Sequence, residues 1–487
     1  MKPYHNVRPV TANGDFHTGF VPTLKYEHGI TRPSAAFPMW LLLTAILLIP
    51  ASLQVHLSGD GIKFTPGRAA IVLLFLPALW TFFRSSRKLV ASDLFALLTA
   101  AWMIGSRLPD DGLNPSAVAA VIEFLGGYLI GRAYFHGPQA LKRFLRIFKI
   151  LTFLVVMVAV LDQLFQQNIA ETIVAMIMQT ARKPVQFRFG IIRAASTIEM
   201  AELYGTFCCV AGSLFLFLEK NKVKRYSWAG LSFFGCVLAL SSGPLLVFAI
   251  IVSFYAYEEL FYQYTIRWKI INCLLLLFIA LIFILSEHPF RWIISHMTLD
   301  PATGYFRLYV FDYVFDQISL APFIGQGFGP IGDDEFLSTT TVDNVWLVCA
   351  ARYGVPMIAF FFLTNLAAFA RLRSKNRHGR TDPFMMRAAT GFTQVLMTFM
   401  LVGLTVHFWN ATWQLWAVCI GIRCSIKEWL QHDALRDVRS TKPYGLRASR
   451  YLSRTGPPKR TQVSPLAGLR RRAQASSLHR QVPGRLP

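Results

Sequence analysis

Long apolar runs constrain this chain more than any other feature. They recur between residues 37 and 429, and most approach the roughly 20 residues that a helix needs to cross the hydrocarbon of a bilayer. Hydrophobic residues make up 54% of the 487 residues and charged residues only 15%, whereas soluble domains carry about 25% charged residues. The pattern excludes an ordinary soluble enzyme and predicts an all-α polytopic membrane protein.

Twelve membrane-spanning helices are predicted between a polar segment, 1–36, and a basic tail, 431–487. They cover 37–54, 69–83, 91–106, 116–135, 144–165, 202–218, 227–241, 243–262, 268–286, 343–370, 386–406 and 411–429. The seventh and eighth are separated only by Ser241-Ser242-Gly243-Pro244, which either breaks the helix or kinks it. We count two helices there, and the membrane domain is predicted to cover 37–430.

Basic residues fall in alternate loops. The even-numbered loops hold arginine and lysine with almost no acid, while the ninth loop, 287–342, holds seven acidic residues. The positive-inside rule then places both termini and the even loops in the cytoplasm. The long loops 166–201 and 287–342 are predicted to lie on the outer side of the membrane. Residues 1–36 contain no apolar core of a signal peptide, so none is expected.

The net charge of +23 is concentrated at the C-terminus. Residues 431–487 contain 13 Lys and Arg against 2 Asp and Glu, and they are poor in apolar runs, which is typical of disorder. No nucleic-acid-binding motif accompanies this charge. The tail is therefore predicted to be disordered and to contact anionic lipid headgroups rather than nucleic acid.

Seven cysteines lie in or beside the apolar segments, at positions 208, 209, 236, 273, 349, 419 and 424. None follows the spacing of metal ligands. We predict that they are free and buried, and we expect neither a metal nor a cofactor.

Several cations on the outer side run against the positive-inside trend, and Arg193 in the loop 166–201 is the most notable. A guanidinium group offers a forked, permanent charge that suits pyrophosphate. The alternatives are contact with lipid headgroups or an ion pair with Glu199. The residues alone leave these alternatives open.

The ninth loop ends in a glycine-containing stretch, Pro322-Phe323-Ile324-Gly325-Gln326-Gly327. Because it does not follow a predicted strand, we expect a tight turn with positive φ rather than a phosphate-binding loop. The run Asp333-Asp334-Glu335 is expected to be solvated.

The tenth span begins at Asp343-Asn344. A carboxylate at this point is either a general base acting on a sugar hydroxyl or a helix cap. Histidines His288, His296 and His407 are the alternative bases.

Taken in order, these motifs resemble a known family. They are Arg193-X-X-Ser196 before a helix, a Ser-Gly break, Arg307 early in a long outer loop, the Pro-X-X-Gly-X-Gly turn, and Asn344 opening a helix with a glycine ten residues later. The order and topology resemble the O-antigen polymerase and ligase superfamily, which includes exopolysaccharide polymerases. Two positions depart from that pattern: Asp343 stands where ligases have histidine, and the Ser-Gly break lacks its arginine, for which Lys183, Arg188 or Arg291 can substitute.

The resemblance implies a metal-independent glycosyltransferase that uses undecaprenyl-pyrophosphate-linked glycans, with flippase and chain-length proteins as partners. It also implies the inner membrane of a bacterium, with the loops 166–201 and 287–342 in the periplasm. Its implied catalytic residues are Asp343, Arg307 and Arg193; its implied substrate-binding residues are Arg193, Arg307, Glu199, Asn344 and Arg291. The absence of a catalytic histidine favours polymerisation of repeat units. The alternatives are a ligase that transfers glycan to lipid A core or protein, and a transporter of polysaccharide or lipid.

Overall fold

The computed structural model describes residues 36–56, 63–85, 87–181, 183–261, 263–264, 266–287, 301–329, 331, 342–369 and 382–440. Helices dominate this part of the chain. They are α1 Ala36–Leu47, α2 Pro66–Arg84, α3 Ala91–Gly105, α4 Leu108–Asp111, α5 Pro115–Tyr134, α6 Pro138–Phe165, α7 Ile169–Met178, α8 Ala201–Leu218, α9 Lys222–Leu238, α10 Ser242–Leu260, α11 Arg267–Leu285, α12 Pro301–Leu320, α13 Val345–Tyr353, α14 Val355–Phe369, α15 Pro383–Val402 and α16 Asn410–Ser440. Two short antiparallel hairpins join β1 Val55–His56 to β2 Lys63–Phe64 and β3 Phe187–Arg188 to β4 Ile191–Ile192.

Within the described ranges, six helices are long and apolar enough to cross a membrane: α2, α5, α6, α8, α10 and α15. Shorter apolar helices include α1, α3, α7 and α14. The chain is therefore compatible with an all-α membrane protein, while the count of twelve spans remains a prediction.

Helix α8 is the centre of the bundle. Every one of its residues except Glu202 is buried, and it packs against α9, α10 and α15.

Six of the seven cysteines are buried, but Cys273 in α11 is exposed. The prediction that all seven are buried was therefore wrong at Cys273, because this residue lies on the outer side of its helix.

The Ser-Gly break separates two helices. Helix α9 ends at Leu238 and α10 begins at Ser242, with Leu240 between them in the left-handed region at φ 46°. A left-handed residue interrupts the helical hydrogen-bond pattern, so the chain turns here instead of forming one kinked helix.

The tenth predicted span, 343–370, is not one helix. It is divided into α13 and α14 at Gly354, whose φ is 81°, and the backbone N–H of Val355 donates to the carbonyl of Pro322 at 2.8 Å. A Cβ at Gly354 would lie 1.9 Å from the Phe323 carbonyl oxygen. Only glycine lets the two backbones approach so closely.

The glycine stretch of the ninth loop is the turn that packs into this break. Gly325 and Gly327 have φ of 72° and 86°, which confirms the predicted turn with positive φ. Its backbone is held by the buried Arg107, which donates to the carbonyls of Ile324 and Gly325. The turn thus locks the end of α12 against the junction of α13 and α14.

Contacts between loops fall at two ends of the bundle. At the end predicted to be outside, hydrogen bonds join Thr197 to Leu47, Ala194 to Leu238, Arg107 to Ile324 and Asn344 to Leu404. At the other end, polar contacts join Lys88 and Arg132 to Glu428, Lys149 to Glu219 and Arg225 to Tyr255. This grouping agrees with the alternation of the loops, while the orientation of the bundle in a cell remains a prediction.

The last helix, α16, runs to Ser440, ten residues beyond the predicted end of the membrane domain at 430. The prediction of disorder was therefore wrong for 431–440, where no glycine or proline interrupts the helix before Pro443. The chain divides into units 1–435 and 436–487. Of the second unit, the structure describes only the helical residues 436–440.

Candidate functional site

Two polar side chains at the end of α6 fix the loop that leads to α8. The Asp162 carboxylate accepts hydrogen bonds from the backbone N–H groups of Ile169 and Ser196, both at 2.8 Å. The Gln163 amide donates to the carbonyl of Ile192 at 2.6 Å. Buried backbone groups need such partners, so these bonds hold the whole loop against the bundle.

Arg193 extends from this loop between two polar partners. Its Nη1 donates to Gln186 Oε1 at 2.8 Å and its Nη2 to Glu202 Oε1 at 2.5 Å. The ion pair expected as an alternative, with Glu199, was wrong: the first turn of α8 presents Glu202 to the guanidinium instead. The Nε atom of Arg193 has no hydrogen-bond partner among the described residues.

Arg307 reaches the same place from α12. The charged groups that act on it are Asp343, Glu202, Arg188 and Arg193. Burial lowers the pKa of Arg307, and the two arginines act in the same direction, although guanidinium remains protonated in proteins. Its Nε and Nη1 have no hydrogen-bond partner in the part of the chain that the structure describes. Two nitrogen atoms, which carry three N–H groups, are therefore available to an anion.

Asp343 lies beside these cations, directly before α13. Burial raises its pKa, while the charges of Arg307 and Arg193 oppose that shift. Its side chain is exposed to solvent, so a substrate hydroxyl group can reach it. A carboxylate with a raised pKa is a stronger base toward a hydroxyl group.

Asn344, not Asp343, caps α13. Its Oδ1 accepts hydrogen bonds from the backbone N–H groups of Trp346 and Leu347 at 2.9 and 3.1 Å, and its Nδ2 donates to the carbonyl of Leu404 at 3.0 Å. The capping role considered for Asp343 was therefore wrong, because the next residue already performs it. The amide of Asn344 positions Asp343, and a role in binding substrate remains a prediction.

Sequence reasoning missed Glu202 and treated Arg188 only as a substitute cation. Arg188 is held by a 2.9 Å bond from its Nη1 to the carbonyl of Leu240, which the left-handed turn between α9 and α10 exposes. The signal for Glu202 was its place in the first turn of a helix, where a carboxylate is favoured. Its pairing with Arg193 depends on how the loop folds back.

A polar cleft of about 170 Å³ opens beside α7. Its lining residues are Gln167, Asn168, Glu171, Thr172, Lys183 and Val185. Lys183 donates to Glu171 at 3.1 Å, so the two charges compensate each other. The cleft offers both hydrogen-bond donors and acceptors and has no net charge, which suits a neutral polyhydroxy ligand.

Glu199 lies between this cleft and the beginning of α16. Burial raises its pKa from 4.5 to about 7, against the opposing influence of Asn410 and the charge of Lys183. The side chain is half-buried. Its pKa is nearer to neutral pH than that of Asp162, the other carboxyl group at this end of the bundle whose pKa burial raises strongly.

Replacing Glu199 by glutamine is expected to remove a pH dependence of stability. The folded chain holds the carboxyl proton more tightly than the unfolded chain, so this stabilisation is fully present below pH 4.5 and is lost as the pH rises to about 7. The difference corresponds to at most about 3 kcal/mol. The melting temperature of the purified protein should fall over this range more than that of Glu199→Gln. The exposed Glu259→Gln is the control, and equal slopes for wild type and Glu199→Gln would contradict the prediction.

Of the three alternative bases, the structure describes His407. His407 is 5% exposed, and burial together with the charge of Arg352 lowers its pKa well below 6.5, so it stays neutral. It is not among the groups that act on Asp343. His288, His296 and Arg291 lie outside the described residues, as does the acidic run 333–335.

The site therefore combines three arginines and two carboxylates from the loop before α8, from α8, from α12 and from the start of α13. No group of three His, Cys, Asp or Glu side chains suited to a metal ion occurs in the described ranges. Neither a protein-family model nor a curated protein matches this chain.

Proposed function

We propose that this protein is a membrane glycosyltransferase that polymerises repeat units carried on undecaprenyl pyrophosphate. The observation that carries the proposal is the meeting of Arg193, Arg307 and Asp343, which are up to 150 positions apart, at one end of the helix bundle. The motif resemblance had singled out these same three residues. A growing glycan on the lipid is the donor, and a new lipid-linked repeat unit is the acceptor.

The net charge of the site suits a reaction in which pyrophosphate is the leaving group. Arg188, Arg193 and Arg307 face Glu202 and Asp343, which leaves one excess positive charge. Removal of charge from water strengthens such electrostatic interactions, and preorganised donors stabilise the negative charge that develops on a leaving group. Arg307 supplies N–H groups that have no partner among the residues that the structure describes.

Asp343 supplies the base in this scheme. The acceptor hydroxyl oxygen attacks the anomeric carbon of the donor sugar, the bond from that carbon to the pyrophosphate oxygen breaks, and the hydroxyl proton passes to Asp343. Direct displacement inverts the anomeric configuration. Because Asn344 fixes the start of α13, Asp343 is held in place without spending its own carboxylate on capping.

The surroundings of the site support a lipid-linked glycan. The polar cleft beside α7 suits sugar hydroxyl groups, and apolar helices long enough for a bilayer suit the polyprenyl chain. Glu199 lies beside Lys183 of this cleft and beside Asn410 at the start of α16. The protein therefore offers arginines for the pyrophosphate, a polar cleft for the sugars and apolar helices for the polyprenyl chain.

Reconstitution tests the proposal directly. The purified full-length protein is placed in phospholipid vesicles with radiolabelled lipid-linked repeat units from the same bacterium, and the products are separated by size. We expect a ladder of lipid-linked glycans that grows with time. Glycan transferred to added lipid A core would identify a ligase instead, and transmembrane movement of the lipid without a new glycosidic bond would identify a transporter.

A further inference from the structure

The loop that carries Arg188 and Arg193 has a large exposed apolar surface. We call it the apolar rim; it comprises the end of α6, one side of α7 and the β3–β4 hairpin. Its members and their exposed fractions are Leu164 72%, Phe165 62%, Ile173 52%, Met176 61%, Ile177 66%, Phe187 57%, Phe189 84% and Ile191 48%. An exposed apolar patch of this extent marks an interaction surface.

Helix α7 is built to lie along a surface rather than to cross a membrane. It has ten residues and is about 15 Å long, half of what the hydrocarbon of a bilayer requires. Ala170, Val174 and Ala175 are buried against the bundle, while Ile173 and Met176 point away from it. A short helix with these two sides is typical of an element at the membrane interface.

The hairpin presents a phenylalanine at a position that does not favour one. Phe189 and Gly190 form its two-residue turn, with φ of 56° and 75°. Such turns favour Asn-Gly, since both central residues have positive φ. A ring that is 84% exposed adds little to the packing of the fold, so the strained residue is better explained by a contact outside the protein.

The bilayer is the partner that this surface fits. The rim continues an exposed apolar stripe on the spanning helix α6, formed by Ile150, Phe153, Leu154 and Met157. The same stripe ends in Leu164 and Phe165, and α7 and the hairpin follow directly. A surface that continues a lipid-facing helix side meets the same hydrocarbon.

We propose that the apolar rim inserts into the bilayer at the boundary between headgroups and hydrocarbon, with Phe189 at its deepest point. Asp162 and Gln163 anchor the loop from the side of the bundle, so the rim determines the depth at which the hairpin sits. Arg188 and Arg193 are then held near the plane of the lipid phosphates. This last consequence rests on the proposed function, whereas the insertion itself does not.

Spin labels measure the insertion. In the full-length protein with Cys273→Ser, single cysteines replace Phe189, Met176 and, as the control on the polar side of the same loop, the half-exposed Lys183. The labelled proteins are placed in vesicles of phosphatidylethanolamine and phosphatidylglycerol. We expect the ratio of oxygen to nickel-chelate accessibility to be several-fold higher at 189 and 176 than at 183. Ratios equal to that at 183 would overturn the proposal.

A second comparison separates this proposal from the proposed function. Phe189→Asn suits the positive φ of the turn but removes the apolar ring, and Phe189→Trp retains an apolar ring. If the rim positions the arginines, Phe189→Asn should lower polymer formation several-fold at an unchanged protein level, and Phe189→Trp should not. Full activity of Phe189→Asn overturns the positioning role even where Arg307 proves essential. If the labels are inserted but the protein makes no polymer, the result supports insertion of the apolar rim and refutes the proposed function.

Discussion

Replacing Arg307 by alanine is expected to lower the rate of polymer formation at least about 100-fold, the cost of losing one preorganised donor to a developing negative charge. Arg307 Nε and Nη1 have no hydrogen-bond partner among the described residues, so the substitution removes two donor atoms that this part of the fold does not use. The rate is measured as the growth of lipid-linked glycan by the purified protein in vesicles.

Two variants make this result specific. Arg307→Lys keeps the positive charge but loses the forked N–H donors of the guanidinium group. We expect it to restore only part of the rate, because ammonium does not bind pyrophosphate oxygens in a bidentate manner. The exposed Lys222→Ala, at the opposite end of the bundle, should leave the rate unchanged. Wild-type rates from Arg307→Ala, at equal protein levels and equal melting temperature, would refute the catalytic site.

Replacing Arg132 by methionine is expected to cost about 3–5 kcal/mol of folding free energy, because it leaves the buried carboxylate of Asp93 without its cation. Arg132 is fully buried. Its Nε bonds Asp93 at 2.9 Å and its Nη1 bonds Glu428 at 2.8 Å, and Tyr128 donates to Asp93 at 2.5 Å. These contacts join α5 to the start of α3 and to α16.

Denaturation of the purified protein in detergent measures this effect. Arg146→Met, at an exposed position of α6, is the matched control and should change stability by no more than about 0.5 kcal/mol. The double variant Arg132→Met with Asp93→Asn should recover part of the loss, since the stranded charge of Asp93 is removed, whereas Glu428 keeps Arg87 at 3.6 Å. If Arg132→Met is as stable as the control, the contacts of Arg132 with Asp93 and Glu428 do not stabilise the helix bundle.

The helices were largely predictable because the bilayer requires apolar runs. The starts and ends of α3, α5, α6 and α8 lie within a few residues of the predicted segments, except that α6 begins at Pro138 and not at 144. Pro138 at the first helical position allows the helix to start there, although the following residues are polar. The break at Gly354 was not predicted, because it depends on the approach of a turn from residue 323.

The sequence alone determined that the chain is helical, apolar and basic, since hydropathy and loop charge are properties of short segments. It also singled out Arg193, Arg307 and Asp343, but it contained no information on their distance from one another. Only the tertiary structure decided that these residues meet, that Glu202 rather than Glu199 pairs with Arg193, and that Asn344 leaves Asp343 free of capping. The physical reason is that long-range contacts depend on how the loops fold back over the bundle, and buried polar groups at the ends of the helices determine that path.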